Sequence, residues 1–129
     1  MDHRVFVDKA EENLAAAECE YSHGRYNACA NRAYYAMFHI AIAALLTFDV
    51  SPPGPRLDHG WVQATFNERL IKRKKVYSAR LAPDLLTVMA IRDTADYEDT
   101  MISRKVASRA LRRSREFVEA VAAKSGERG

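Results

Sequence analysis

The most apolar segment of this chain, "NRAYYAMFH" at residues 31–39, contains side chains that can do chemistry. Arg32 and His39 are seven residues apart, so on an α-helix they project from nearly the same side, about 10 Å apart along the axis. A guanidinium matches the geometry of a phosphate, and an imidazole titrates near neutral pH. Two interpretations follow. Either Arg32 contacts an anion and His39 is a general acid or base, or Arg32 binds a carboxylate on a neighbouring helix and His39 is a half-buried packing residue.

A second polar set occurs in "RDTADY", residues 92–97. Arg92 and Asp96 are four residues apart, so they share one face of a helix and can form an ion pair. Asp96 can also accept a hydrogen bond from Arg32 across a helix bundle. We therefore expect Arg32, Tyr35, Arg92 and Asp96 to form one polar seam between two helices and to be the floor of a pocket.

Two basic clusters stand out against a net charge of +3 and a pI near 9.0. Residues 69–80 contain six basic residues and no acid, and residues 104–115 do the same. Such a run is typical of a solvated helix face, but it can also bind a phosphate backbone with salt-sensitive affinity. The side chains that we assign to nucleic-acid binding are Lys72, Arg73, Lys74, Lys75, Arg109, Arg112 and Arg113.

The pattern of metal-ligating residues argues against a metal or cofactor. The chain has two cysteines without a CxxC motif, and its four histidines lie far apart in the sequence. It also lacks a glycine-rich phosphate-binding loop, so ATP hydrolysis is not expected. We predict no metal site, no cofactor and no structural disulfide.

The composition fits one globular domain over residues 1–129, with a core from about residue 5 to 122 and a frayed tail at 123–129. Apolar residues make up 48% and charged residues 29%. The longest apolar run is shorter than the ~20 residues that span a bilayer, and the first residues lack the apolar core of a signal peptide. We therefore expect a cytoplasmic protein that has no membrane partner.

Apolar residues recur at helical spacing throughout the chain, which predicts an all-α fold, a four- to five-helix up-down bundle. Gly24 and the segment "DVSPPGPRLD" are the strongest helix breakers, "KRKKVYS" reads as a loop, and Ser103 is a candidate cap for the last helix. The side chains that we expect to be buried on the third helix are Trp61, Ala64, Thr65 and Leu70. The predicted helices cover residues 5–22, 25–48, 58–71, 82–99 and those after Ser103.

Several segments of the chain resemble the small stand-alone HEPN-domain proteins of prokaryotes. They are "DKAEENLAAAECEYSHGRYNACANRAYYAMFHIAIAALL", the Pro-rich turn after it, "DHGWVQATF" and "IRDTADY". They occur in the family's order and separation, from about residue 8 to 121, with His59 in the family's histidine position after the turn. The resemblance implies a bundle of four or five helices that is usually dimeric.

The resemblance also implies a function. Many family members are encoded beside a minimal nucleotidyltransferase and act with it as a toxin and antitoxin pair. Active HEPN proteins are metal-independent ribonucleases, and their signature is an arginine, a polar residue and then a histidine four to six residues beyond the arginine. Arg92 and Asp93 match the start of this signature, but residues 97–99 contain no histidine. Arg32 and His39 have a similar spacing but lie on a different predicted helix.

One further residue assignment comes from the same resemblance. In related pairs the nucleotidyltransferase adds adenylyl groups to a tyrosine close to the signature, which makes Tyr97 a candidate for modification. Three hypotheses follow: a partner of a minimal nucleotidyltransferase, an active ribonuclease that binds RNA, or a non-catalytic structural homodimer. A histidine for the ribonuclease hypothesis is not identified next to Arg92, so the sequence leaves open whether the chain is an enzyme.

Overall fold

The structure, a computed structural model, describes residues 1–128, with side chains through Lys124. This part of the chain contains helices and no strand, so the predicted all-α fold class is confirmed. Five α-helices are joined by a π-helix and a short 3₁₀ turn. Their bounds are α1 His3–Ser22, α2 Tyr26–Thr47, α3 His59–Thr65, the π-helix Phe66–Arg73, the 3₁₀ turn Ala79–Leu81, α4 Asp84–Tyr97 and α5 Arg104–Arg128.

Helix α2 is the centre of the bundle and packs against α1, α4 and α5. Its sequence is nearly apolar all round, and the side chains from Cys29 to Leu45 are buried except for the half-buried Asn31, Arg32, Tyr35 and His39. Many of these side chains are alanines, which let neighbouring helices approach closely. One contact shows this approach: the hydroxyl of Ser114 on α5 donates to the backbone carbonyl of Ala33, at 2.7 Å.

The ends of several helices follow the sequence signals. Helix α1 ends just before Gly24, whose φ of +73° is accessible to glycine without steric cost. The hydroxyl of Ser103 accepts from the backbone N–H of Val106 at 3.2 Å, which confirms the predicted cap of α5. Asp58 caps α3 in the same way, by accepting from the backbone N–H of Trp61.

The third predicted helix is wrong in detail. The α-helix ends at Thr65 and continues as a π-helix to Arg73, so the predicted loop is reduced to residues 74–78. Ala64 is exposed, and Trp61 and Thr65 are only half-buried. Because a π-helix bonds residues five apart, as the N–H of Lys74 does to the carbonyl of Arg69, its turns hold more residues than α turns and it buries a different face. The buried residues are Val62, Gln63, Phe66, Leu70 and Ile71.

The predicted bounds of α4 also need correction. A 3₁₀ turn ends at Leu81, Pro83 stands before the helix, and α4 runs only from Asp84 to Tyr97. It ends there because Glu98 has an extended backbone, with φ −100° and ψ 162°. At the other end of the chain, α5 continues to Arg128, while the side chains of residues 125–129 lie outside the described part. The predicted frayed tail falls largely on these residues.

Two simpler expectations concern the membrane and the cysteines. Among the described residues, no helix is both long enough and apolar enough to cross a bilayer. Cys19 and Cys29 are both free thiols, as expected, with Cys29 buried and Cys19 exposed. Burial raises the pKa of the Cys29 thiol to about 11, so this group is unreactive at neutral pH.

Candidate functional site

Arg92 is the centre of the candidate site, near the end of α4, and its side chain is only 10% exposed. Its Nε donates to Asp96 at 3.1 Å, its Nη2 donates to the hydroxyl of Tyr97 at 3.1 Å, and its Nη1 lies 3.5 Å from Asp93. Burial opposes the charged guanidinium, but the hydrogen bond to Asp96 and the nearby tyrosines and Asp93 leave the pKa of Arg92 raised above its ordinary value. The group is therefore a fixed cation.

A hydrogen-bonded chain connects Arg92 to helix α2. Asp96 accepts from the amide of Asn31 at 2.9 Å. The amide oxygen of Asn31 in turn accepts from Nε of Arg32 at 2.8 Å and also from its Nη2. The prediction of a direct hydrogen bond from Arg32 to Asp96 is therefore wrong. Asn31, one residue earlier on α2, reaches α4 instead, and Arg32 turns toward α1.

The ring of Tyr35 completes the polar seam. The seam consists of Asn31, Arg32, Tyr35, Arg92 and Asp96. The guanidinium carbon of Arg32 lies 5.2 Å from the centroid of the Tyr35 ring, and that of Arg92 lies 5.5 Å from the same ring. Both distances allow a cation–π interaction. The structure thus brings together all four residues that the sequence placed in one seam, although Asn31 is an additional link.

The seam opens into a cavity of about 360 Å³ between α1, α2 and α4. Arg32 and Asp96 line it, as expected for a pocket floor, whereas Tyr35 and Arg92 are not among its lining residues. Its wall combines a guanidinium with two carboxylates, so it has no single sign of charge. The full lining is Ala16, Glu20, Asn27, Ala28, Asn31, Arg32 and Asp96.

Arg32 and His39 are both held by Asn13 of α1. The amide nitrogen of Asn13 contacts Nδ1 of His39 at 3.0 Å, and its amide oxygen accepts from Nη1 of Arg32 at 2.9 Å. Burial, together with the positive charges of Lys9, Arg32 and His59, lowers the pKa of His39 to about 4. A general acid or base works best with a pKa near the operating pH. These contacts favour a packing role for His39, and its catalytic role stays a prediction.

His59, at the first turn of α3, is a histidine that the structure places near Arg92. Gln63 donates to the hydroxyl oxygen of Tyr34 at 3.2 Å, and the same hydroxyl forms a hydrogen bond with Nδ1 of His59 at 2.6 Å. The His59 ring stacks on Phe38 with centroids 4.3 Å apart. Burial and then the charge of Arg92 lower the pKa of His59.

Tyr34 is the link between His59 and Arg92. The guanidinium carbon of Arg92 lies 5.4 Å from the centroid of the Tyr34 ring, which stacks on His59 at 5.5 Å. Tyr34 itself is fully buried, and burial raises the pKa of its phenol to about 12. No sequence pattern pointed to Asn13, Asn31 or Gln63, because neutral amides are most often exposed.

The two basic clusters differ in their surroundings. Lys72, Arg73, Lys74 and Lys75 are all exposed around the end of the π-helix, where Lys75 has a φ of +52°. On α5, Arg109 and Arg112 are exposed as well.

Arg113 does not share this exposure. It forms an ion pair with Asp84 at 3.0 Å and is partly buried. Its guanidinium neutralises a carboxylate at the start of α4, and its assignment to nucleic-acid binding stays a prediction.

Within the part of the chain that the structure describes, no three histidine, cysteine, aspartate or glutamate side chains lie together as a metal site would require. The titratable groups of the seam are instead paired with arginines and amides.

A model of the HEPN domain matches residues 3–125. "Putative toxin MJ0142" of Methanocaldococcus jannaschii is 31% identical over 99 residues, which are 77% of this chain and 64% of that protein. "Putative toxin MJ0605" of the same organism is 43% identical over 49 residues, 38% of this chain and 37% of that protein. The chain thus spans less than two thirds of the length of each relative. Because the family model covers nearly the whole sequence, this chain belongs to the HEPN domain family.

Proposed function

We propose that this chain is the toxin-like HEPN component of a toxin–antitoxin type system, that its partner is a minimal nucleotidyltransferase, and that it acts as a homodimer. Membership of the HEPN family and the names of the two relatives support the toxin-like role. The resemblance to HEPN proteins supports the partner and the dimer. The observation on which the proposal chiefly rests is the state of Tyr97, an exposed phenol that is held by a buried arginine.

Tyr97 is suited to accept a nucleotidyl group. It is 74% exposed at the end of α4, its hydroxyl oxygen accepts from Nη2 of Arg92 at 3.1 Å, and its ring lies 5.4 Å from the guanidinium carbon. The phenol oxygen would attack the α-phosphorus of a nucleoside triphosphate. An O–P bond forms, the bond to the β-phosphate oxygen breaks, pyrophosphate leaves, and the phenol proton passes to a base of the transferase or to water.

The modification would also change the seam. An adenylyl group adds a negatively charged phosphodiester beside Arg92, where it competes with Asp96 for the guanidinium. Because Asp96 connects α4 to Asn31 on α2, this competition would alter the contact between the two helices. Modification of an exposed residue would thus act on the buried site.

A second candidate function, a metal-independent ribonuclease, is supported by the position of His59. On this hypothesis Arg92 and Asp93 contact the RNA backbone, and His59 takes the place of the histidine that residues 97–99 lack. The hydrogen bonds that join Gln63, Tyr34 and His59 hold the imidazole through its Nδ1, so Nε2 is the ring nitrogen that would contact a phosphate oxygen. A non-catalytic structural dimer is the third possibility.

The first test is co-expression of the chain with the nucleotidyltransferase encoded beside its gene. We expect the two to co-purify, the chain alone to arrest growth, and the co-expressed chain to gain ~329 Da per adenylyl group in its intact mass. Tyr97→Phe should lose the mass shift, whereas Tyr26→Phe should retain it. Absence of both co-purification and a mass shift would contradict the proposal.

The second test is incubation of the pure protein with mixed RNA in EDTA. The ribonuclease hypothesis predicts cleavage that Arg92→Ala and His59→Gln reduce by about a hundredfold, while His39→Gln keeps it. Cleavage that survives in Arg92→Ala would contradict this assignment. The hypothesis of a structural dimer predicts that neither cleavage nor a mass shift is observed.

A further inference from the structure

A second cleft lies away from the seam, between the end of α1 and one face of α5. We name it the α5 groove. It has a volume of about 440 Å³, and four of its six lining residues are basic. The lining consists of Tyr21, Arg104, Lys105, Ser108, Arg109 and Arg112.

Three cations of the α5 groove have no partner among the described residues. Lys105, Arg109 and Arg112 are exposed, and none of them forms a hydrogen bond or an ion pair with the described part of the chain. They are spaced i, i+4 and i+7, so they form one stripe on the helix. Like charges at this spacing repel each other and destabilise a helix. A bound polyanion would remove this repulsion.

The other arginines on α5 contrast with this stripe. Arg113 pairs with Asp84 at 3.0 Å, and Arg115 pairs with Glu18 at 3.0 Å. Acidic side chains are therefore present around this helix, and Glu18 lines the adjoining cavity together with Arg112. Within the described part of the chain, none of them pairs with Lys105, Arg109 or Arg112, so the stripe keeps three positive charges that no carboxylate neutralises directly.

Tyr21 gives the groove an aromatic wall. Its hydroxyl accepts from Nε of Arg104 at 3.4 Å, and the hydrogen bonds from Arg104 and Ser108 lower the pKa of its phenol. These contacts fix the ring beside the basic stripe. A smaller cavity of about 360 Å³ shares Tyr21, Ser108 and Arg112 with the groove and is also lined by Glu18.

We propose that the α5 groove binds a single-stranded nucleic acid. Lys105, Arg109 and Arg112 contact the phosphates, and Tyr21 stacks on a base. Sites for single strands combine a basic track with aromatic side chains, because every base has a face that can stack. The inference goes beyond the proposed function, since it requires neither toxicity nor a nucleotidyltransferase and uses no residue of the Arg92 site.

The experiment measures binding of a fluorescent RNA 12-mer of mixed sequence to the full chain by anisotropy, at several salt concentrations. Each phosphate contact on a single strand contributes about 0.7 to the slope of log K against log salt. The double variant Lys105→Gln/Arg109→Gln should therefore lower the slope by about 1.4 and weaken binding at least about tenfold at low salt. Single-stranded DNA of the same sequence tests whether the sugar contributes. Equal binding indicates phosphodiester contacts alone, and preference for RNA adds a 2′-hydroxyl contact, so either supports the proposal.

The matched control is Lys72→Gln/Lys74→Gln, which removes the same charge from the other basic cluster. We expect its affinity to stay within about twofold of the unmodified chain, since screening limits the effect of distant charges. No measurable binding by the unmodified chain, or an equal loss in both double variants, would overturn the proposal.

The stacking contact has its own pair of variants. Tyr21→Leu removes the ring and should weaken binding at least about fivefold, whereas Tyr21→Phe keeps the ring and should bind nearly as well as the unmodified chain. If Tyr21→Leu folds and binds like the unmodified chain, the stacking contact is refuted. If Tyr21→Leu does not fold, Tyr21→Phe is the test. Weaker binding by Tyr21→Phe than by the control variant Lys72→Gln/Lys74→Gln would then refute the stacking contact.

Discussion

Two neutral amides, Asn13 and Asn31, join the charged groups of the site. Asn31 donates to Asp96 and accepts from Arg32, while Asn13 contacts both Arg32 and His39. Each amide has a donor and an acceptor at its end, so it can connect two groups that could not pair directly. The two arginines are thus held by one network without a direct contact between their charges.

At the same scale, His39 makes the stability of the protein sensitive to acid. Burial lowers its pKa from 6.5 to about 4 in the folded chain, so the unfolded chain binds more protons between these values. The contribution of His39 is therefore fully present above about pH 6.5 and is lost as the pH falls through about 4. Solvent screening of a half-buried ring limits the loss to about 1–2 kcal/mol.

The variant His39→Gln should reduce this loss. Glutamine retains an acceptor for Asn13 but does not titrate, so the difference in the free energy of unfolding between pH 7 and pH 4.5 should shrink by about 1 kcal/mol. Part of the pH dependence should persist, because burial also lowers the pKa of His59. Urea unfolding at the two pH values measures the difference. An unchanged pH dependence in the variant would contradict the assignment.

The residues of the seam were predictable because their charges and their positions on a helix face limit their partners. Arg92 and Asp96 had to share one face of α4, and the spacing on α2 put Arg32 and Tyr35 close together. The link through Asn31 was not predictable, since the side chain that reaches across depends on how far α2 and α4 are rotated against each other. The contacts of His59 required the path of the Pro-rich turn, which helical spacing does not define.

At the scale of the elements, close packing between α2 and α5 depends on small side chains. Ser114 is fully buried, and its hydroxyl donates to the carbonyl of Ala33. Ser114→Ala should lower the free energy of unfolding by about 1 kcal/mol, through loss of one hydrogen bond. Ser114→Leu should cost about 3 kcal/mol, because a larger side chain forces the helices apart.

Urea denaturation of the two Ser114 variants measures these costs, and each variant is the control for the other. Equal stability of the alanine and leucine variants would show that α2 and α5 do not approach each other as the structure indicates. This test concerns the packing alone, since Ser114 contacts no residue of the seam.

Some helix boundaries can be predicted from the sequence and others cannot. The C-terminus of α1 follows from the backbone freedom of Gly24, and the N-terminus of α5 follows from the capping hydroxyl of Ser103. Both effects are local. The segment after Thr65 does not follow, because a π-helix and an α-helix differ by one residue in each hydrogen-bonded turn. Packing of Phe66 and Leu70 against the core selects between them, and packing is a property of the whole fold.

At the scale of the molecule, the hydrogen bonds of the polar seam between α2 and α4 extend to a third helix, α1. Asn13 on α1, Arg32 on α2 and Asp96 on α4 belong to one hydrogen-bonded network, in which Asn31 links Arg32 to Asp96. A separate contact, from the backbone N–H of Ile102 to Asn27 at 2.8 Å, ties the segment after α4 to α2. Dimerisation stays a prediction, because it depends on a second copy of the chain.

The proposed effect of modifying Tyr97 requires that α2 and α4 are energetically coupled through the seam. A double-mutant cycle with Asn31→Ala and Asp96→Ala, read by urea unfolding, measures this coupling. The pair Asn31→Ala and Arg115→Ala is the control, since these residues share no contact. We expect a coupling energy of about 1–2 kcal/mol for the first pair and about zero for the control. Additive effects of Asn31→Ala and Asp96→Ala would contradict it.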